Sequence, residues 1–227
     1  MQWTSYIALL ILIAGASLFV TWDDITFYQR VKQPVFSAED SSPMDYSEPY
    51  QDAAELYGTA PFTIYDKNKP VTLIPRASYE VSGLLIGTNT NFGIRRFNWT
   101  FDRIAPVDFA IAWGKNANKE FIEQNFDITL EKDFSNGGRV VYVDSKNNNS
   151  EDLEYSITHL IPRNQNILNA IMKARVYDEV YLTGVLVDIA KGDEIINETS
   201  LSRLDDGAGS GEIMYVSEIR INDKIYD

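Results

Sequence analysis

From Pro61 onward the apolar residues recur at every second position in short runs, and that period of two commits the larger part of this chain to strands. The clearest run is "DEVYLTGVLVDI", where Val180, Leu182 and Val185 form the inward set and Glu179, Tyr181 and Thr183 face out. Gly184 between them marks a bulge or a close backbone approach. "FTIYDKNKPVTLI" places two β-rich pieces around an Asp-Lys-Asn-Lys turn, which is a hairpin signature. "SYEVSGLLIG", "RVVYVDS" and "EIMYVSEIRI" add strands, the last alternating Ile213 and Tyr215 against Met214 and Val216. One helix stands out between them: "NQNILNAIMKARV" sets Ile167, Leu168, Ile171 and Met172 on one stripe behind Asn164 as N-cap. A second short helix fits "NKEFIEQNF". The order strand, strand, strand, helix, long strand, strand predicts a mainly β, α+β domain over 61–227, built as an OB-like or other small Greek-key barrel with one prominent helix.

Ahead of this domain lies "YIALLILIAGASLFV", fifteen uncharged and largely apolar residues from Tyr6 to Val20, bracketed by Trp3 and Trp22. At ~1.5 Å per residue the stretch Thr4 to Thr21 rises about 27 Å, close to a bilayer's hydrocarbon thickness. The tryptophans then fall at the two interfaces. The expectation is a single transmembrane helix over 1–22, a signal-anchor in a bacterial inner membrane. The globular part is expected to be extracytoplasmic because a span at the very N-terminus usually sends the rest across, although Arg30 and Lys32 after the span vote for the opposite orientation. A cleaved signal peptide is the rival reading, because Ala14-Gly15-Ala16 fits a cleavage site. Against it, no Lys or Arg precedes the run and Leu18-Phe19-Val20 continues it. Residues 23–60 change character: "SAEDSSPMDYSEPYQDAAE" carries six acids, two prolines and no Lys or Arg. Such a stretch buries too little to repay ordering and reads as an acidic extended tether, on which Tyr46, Tyr50, Leu56 and Tyr57 leave docking open. Fully flexible, it spans roughly 35 Å.

With 33 acidic against 20 basic residues the net charge is −13, a field that repels phosphate backbones, so no nucleic-acid partner is expected. Cysteine is absent, which removes disulfides, thiolate metal sites and cysteine nucleophiles together.

The blocks "APVDFAIAWGKN", "HLIPRNQNIL", "VYLTGVLVDI" and "TSLSRLDDGAGSGE" together resemble an uncharacterised family of bacterial membrane-anchored or exported proteins. Its Pro-Val-Asp, Trp-Gly, His-Leu-Ile-Pro and Ser-Leu-x-Arg-x-Asp-x-Gly motifs occur here in the same order, over about residues 62–220. The resemblance implies an envelope location and one domain, not a reaction. It also implies a cysteine before the glutamate of the last block, where this chain has Gly211 before Glu212.

The loop "RLDDGAGSGE" fails the tests for bound ions and nucleotides. An EF-hand frame on Gly207 puts Leu204 and Ile213 at ligand positions, and no lysine follows the glycines as a phosphate loop requires. What remains is a glycine-permitted connection in which Arg203 pairs with Asp205 or Asp206, or a loop that presents these three to a partner. His159 is the only histidine and excludes a histidine-rich metal site. It is a hydrogen-bonded structural residue or a general base. Asp108 and Trp113 flank an apolar run, as a backbone cap and a core aromatic or as a carboxylate beside a binding aromatic. No Gly-x-Ser-x-Gly elbow occurs.

These readings converge on a membrane-tethered envelope component that binds or scaffolds a protein without catalysis, metal or cofactor. Its candidate contact residues are Asp108, Trp113, His159, Arg203, Asp205 and Asp206. The alternatives are a hydrolase using His159 with nearby carboxylates, and an OB-like ligand or single-stranded nucleic-acid binder.

Overall fold

The computed structural model describes residues 31–56, 59–90, 100–132, 139–146, 153–202 and 211–227. Along the chain run β1 (Ala38–Glu39), β2 (Tyr50–Asp52), β3 (Phe62–Asp66), β4 (Lys69–Thr90), β5 (Val107–Trp113) and β6 (Phe126–Lys132). They are followed by β7 (Arg139–Ser145), β8 (Glu154–Pro162), β9 (Glu179–Lys191), β10 (Glu194–Asn197), β11 (Glu212–Ile221) and β12 (Lys224–Tyr226). Helices span Thr100–Ile104, Lys119–Asn125 and Gln165–Ile171.

Among the described residues ten strands form one large mixed sheet, and β6 with β7 a separate hairpin. Five of the ten close on one another: β4 pairs with β5 and β9, β5 with β8, and β11 with both β8 and β9. The β8–β11 contact is parallel. A helix and the antiparallel strand β9 intervene between them, so β11 enters in the same direction as β8.

Two expectations are corrected here. The small OB-like or Greek-key barrel behind a single transmembrane helix is replaced by this larger mixed sheet. β4 runs for 22 residues and β9 for 13, and their overhanging lengths recruit β2, β3 and β10. Among the described residues no helix is long and apolar enough to cross a membrane, so the signal-anchor assignment draws nothing from them. Helices of seven residues rise only about 11 Å. The run Thr4–Thr21 itself lies outside the described residues.

At ~3.3 Å per residue β4 would measure about 70 Å if straight, so it has to bend. It does so where its register shifts, between Pro75 and Ala77 and between Leu85 and Gly87. The β3–β4 hairpin turns on Lys67 (φ 46) and Asn68 (φ 66), two left-handed residues that match the twist of the flanking strands. Both helices expected from the sequence start at their caps: Asn118 Oδ1 accepts from Phe121 N at 2.8 Å and Asn164 Oδ1 from Ile167 N at 2.9 Å.

The closed strands enclose Tyr79, Val81, Phe109, Ile111, Leu160, Leu182, Met214 and Val216, with Ile167 and Ile171 of the helix packed onto the same cluster. A second cluster, containing Leu84, Ala110, Ala112, Ile122 and Phe126, lies under the helix Lys119–Asn125. A third joins Val71, Leu73, Ile104, Ile161, Val187 and Ile189. In β9 Val180 and Leu182 face the first cluster as expected, but Val185 packs on the third. Gly184 holds the inward position there, and a Cβ on it would stand 2.1 Å from Tyr215 O. The irregularity falls on the partner strand instead, between Val216 and Glu218.

The acidic stretch expected as a tether is, over 31–56, extended but laid on the domain. β1 pairs with β12 and β2 with β4, while Tyr46 O accepts from Gly114 N at 2.7 Å.

Candidate functional site

Two of the residues singled out from sequence meet across a strand pair. Asp108 of β5 and His159 of β8 are register partners, and alternation turns both away from Phe109 and Leu160, which fill the enclosed core. His159 Nδ1 lies 2.8 Å from Asp108 Oδ1. A carboxylate can only accept, so Nδ1 donates and the tautomer of the ring is set by Asp108. The carboxylate is 1% exposed and the imidazole 14%. Phe101, on the helix Thr100–Ile104, meets the imidazole edge to face with ring centroids 5.2 Å apart. That helix is fastened by Arg103, which forms an ion pair with Asp66 of β3 through Nε at 2.7 Å and through Nη2. The bond to Asp66 holds the guanidinium pKa above its ordinary value.

The other ring edge meets backbone. A Cβ built on Gly211 would stand 2.7 Å from His159 Nε2 and 3.1 Å from Ile157 O. Glycine is therefore the residue that lets the chain pass the imidazole as it enters β11. Gly211 is also the position at which the family resemblance implied a cysteine. Gly211→Ala is expected to push the imidazole aside and cost about 1–3 kcal/mol, read from urea unfolding, with the His159 ring resonances shifted.

Trp113 belongs to a different place. Five residues along β5 put it about 17 Å from Asp108, with opposite parity. It pairs in register with Glu154, and among the described residues its buried Nε1 has no hydrogen-bond partner. Arg203, Asp205 and Asp206 lie outside the described residues. The two ends of their loop do not: Thr199 Oγ1 accepts from Ile213 N at 2.9 Å and Thr199 N donates to Asp188 Oδ1 at 3.0 Å. Asp188, 3% exposed, also faces Arg76 Nε at 3.4 Å. Among the described residues no group of three or more His, Asp or Glu is placed to hold a metal ion.

The cleft that the structure adds escaped the sequence reading. It has a volume of about 330 Å³ and opens between the segment 40–50 and the outer faces of β4, β9 and β11. Tyr50 and Tyr181 line it with Met44, Glu80, Glu218 and Arg220. Tyr181 OH donates to Glu80 Oε2 at 2.7 Å, and burial first, then this bond, keeps the phenol protonated well above its usual pKa. Outward alternation in β9 was the available signal for Tyr181. Nothing local signalled Arg220, which is 8% exposed and donates to Asp40 Oδ2 at 2.8 Å across 180 positions. Asp40 has its pKa lowered from 3.8, first by hydrogen bonds from Ser42 and then by Arg220. A lowered folded value adds stability above the unfolded pKa that is lost as pH falls through the folded one. Amide protection at Asp40 is accordingly expected to drop below about pH 3.8 while that of β5 stays.

No family model matches the chain, and no match emerges among curated proteins or solved structures.

Proposed function

We propose that this chain is a non-enzymatic binding component of the bacterial envelope, with its globular part outside the cytoplasm and another protein as its partner. The observation that carries this reading is the cleft beneath residues 40–50, which offers two tyrosine rings, a methionine and fixed charges at the junction of three strands. Aromatic rings with a polar tip supply contact area at low entropic cost, which is why they concentrate where proteins bind. The envelope location rests on the family resemblance.

Cross-linking and capture from envelope fractions with the full chain test the proposal. A partner that is retained by His159→Ala and lost with Tyr181→Ala is the expected result. Protease accessibility in spheroplasts checks the location. A chain that captures nothing through the cleft overturns it.

A hydrolase is the second reading, favoured by the 2.8 Å contact between His159 and a buried carboxylate. That pair is the orienting half of a general-base site and would act on water. It requires turnover of a small-molecule substrate that His159→Ala abolishes in a folded protein.

A further inference from the structure

The segment that roofs the cleft is held in an unusual manner. Ser37 N donates to Ile225 O at 2.8 Å and Asp40 N to Asp223 O at 2.9 Å, so the segment adds a strand to the edge of β12. Asn166 copies a strand partner with its side chain: its Oδ1 accepts from Val35 N and its Nδ2 donates to Val35 O, both at 2.8 Å. Arg220 grips the far end, with Nη1 on Asp40 Oδ2 at 2.8 Å and on Ser42 Oγ at 3.3 Å, and Nη2 on Ser42 O. Its Nε is fixed on Asn222 O at 2.8 Å, so the fork is aimed before the segment arrives.

Almost no apolar area supports these bonds. Val35 is 73% and Phe36 45% exposed, and Ala38 and Glu39 are exposed as well. A segment fixed by backbone bonds, a half-buried ion pair and the contact of Lys224 Nζ with the Phe36 ring opens more readily than a strand sealed by core side chains. What the seat recognises is available to another extended acidic chain: main-chain groups, an aromatic ring against Lys224 Nζ at 5.8 Å, and an aspartate two residues before a serine.

We propose that this seat, formed by the β12 edge, Asn166 and Arg220, is an acceptor for an extended acidic segment of a partner protein, and that residues 35–42 occupy it in the resting chain. The partner adds a strand in place of the chain's own, the mode by which exposed sheet edges take extended peptides. Arg220 selects for an acid at the position now held by Asp40, and Lys224 Nζ, 5.8 Å from the Phe36 ring, for an aromatic three residues before the position opposite it. Displacement also unroofs the cleft, since Asp40, Pro43 and Met44 form part of its wall. This inference names the partner chemistry for the binding reading above. Amide exchange reports on the seat whether or not a partner is captured from cells, so the two can fail separately.

The test is native-state hydrogen exchange on the full chain, with a synthetic peptide of the sequence of residues 35–44 as probe. Ser37 and Asp40 amides are expected to exchange roughly 100-fold faster than amides of β5, through an opening that leaves the core closed. Excess peptide should speed their exchange further, and the same peptide with alanine for Asp40 should not. Arg220→Ala should accelerate their exchange with β5 unchanged. Asn166→Ala is the second variant, because Arg220 also supports Asn222. Exchange of Ser37 and Asp40 at the rate of β5 overturns the proposal, as does indifference to the peptide. Protection that grows with protein concentration alone would put a second copy's segment in the seat and overturn the heterologous partner.

Discussion

Gly184→Val is expected to cost more than about 3 kcal/mol, enough to remove a large part of the stability of a domain of this kind. A Cβ at this position would stand 2.1 Å from Tyr215 O and 3.2 Å from Val216 Cα, both backbone atoms of the neighbouring strand. Side chains can rotate away from an intruder, but a paired strand can yield only by breaking its ladder. Because β9 pairs with both β4 and β11, the loss spreads to both seams. Gly192→Ala supplies the control. Its Cβ would meet nothing within 4 Å, yet its φ of +63 charges a left-handed penalty of about 1 kcal/mol. Urea unfolding of the two variants should rank them in that order, and a Gly184→Val protein as stable as Gly192→Ala would refute the close approach.

The same glycine shows what the sequence could and could not convey. A glycine inside an alternating run signals a bulge or a close approach, and the close approach is present at Gly184. Which strand yields is a property of the partner, so the bulge at Ser217 of β11 was invisible from β9, and Val185 was assigned to the wrong face. Local signals fared well where the physics is local: the cap at Asn164 and the turn at Lys67-Asn68 are each set within four residues. Strand recruitment is not local. The lengths of β4 and β9 decide how many neighbours they collect beyond the β3–β4 hairpin, and no periodicity in those strands announces that β2 and β10 will pair with them.

Composition left the docking of residues 31–56 open, and Tyr46, one of the residues on which it turned, packs against the second cluster. The stretch is acidic and proline-bearing, and such chains lack the apolar burial that repays ordering. Its order comes from elsewhere: main-chain groups on two sheet edges, Arg220 at one point and Asn166 at another. Each of those partners lies more than a hundred positions away, apart from the β2 contact with β4. Residues 35–42 contribute little to the core, unlike Tyr46 and the buried Pro49 further along, which fits a seat open to a second chain.

Asp108→Ala is expected to lower stability by about 3 kcal/mol, the larger effect of the two substitutions that define the Asp108–His159 pair. Removing the carboxylate leaves His159 Nδ1 without its 2.8 Å acceptor beside the Phe101 ring and opens a void at a position that is 1% exposed. Asp108→Asn retains a carbonyl oxygen at nearly the same place, so it should cost under about 1.5 kcal/mol if the acceptor is what the site needs. Equal losses for the two variants would show instead that the site needs the negative charge and not the acceptor oxygen alone. The pair also separates the two functional readings. A structural histidine keeps partner capture intact in Asp108→Asn, while a general base loses its orienting charge and, with it, most of any turnover, whatever the stability of the folded chain. A stable Asp108→Asn protein that captures the partner normally, and in which any turnover shown by the unaltered chain is undiminished, therefore keeps the binding reading and retires the hydrolase.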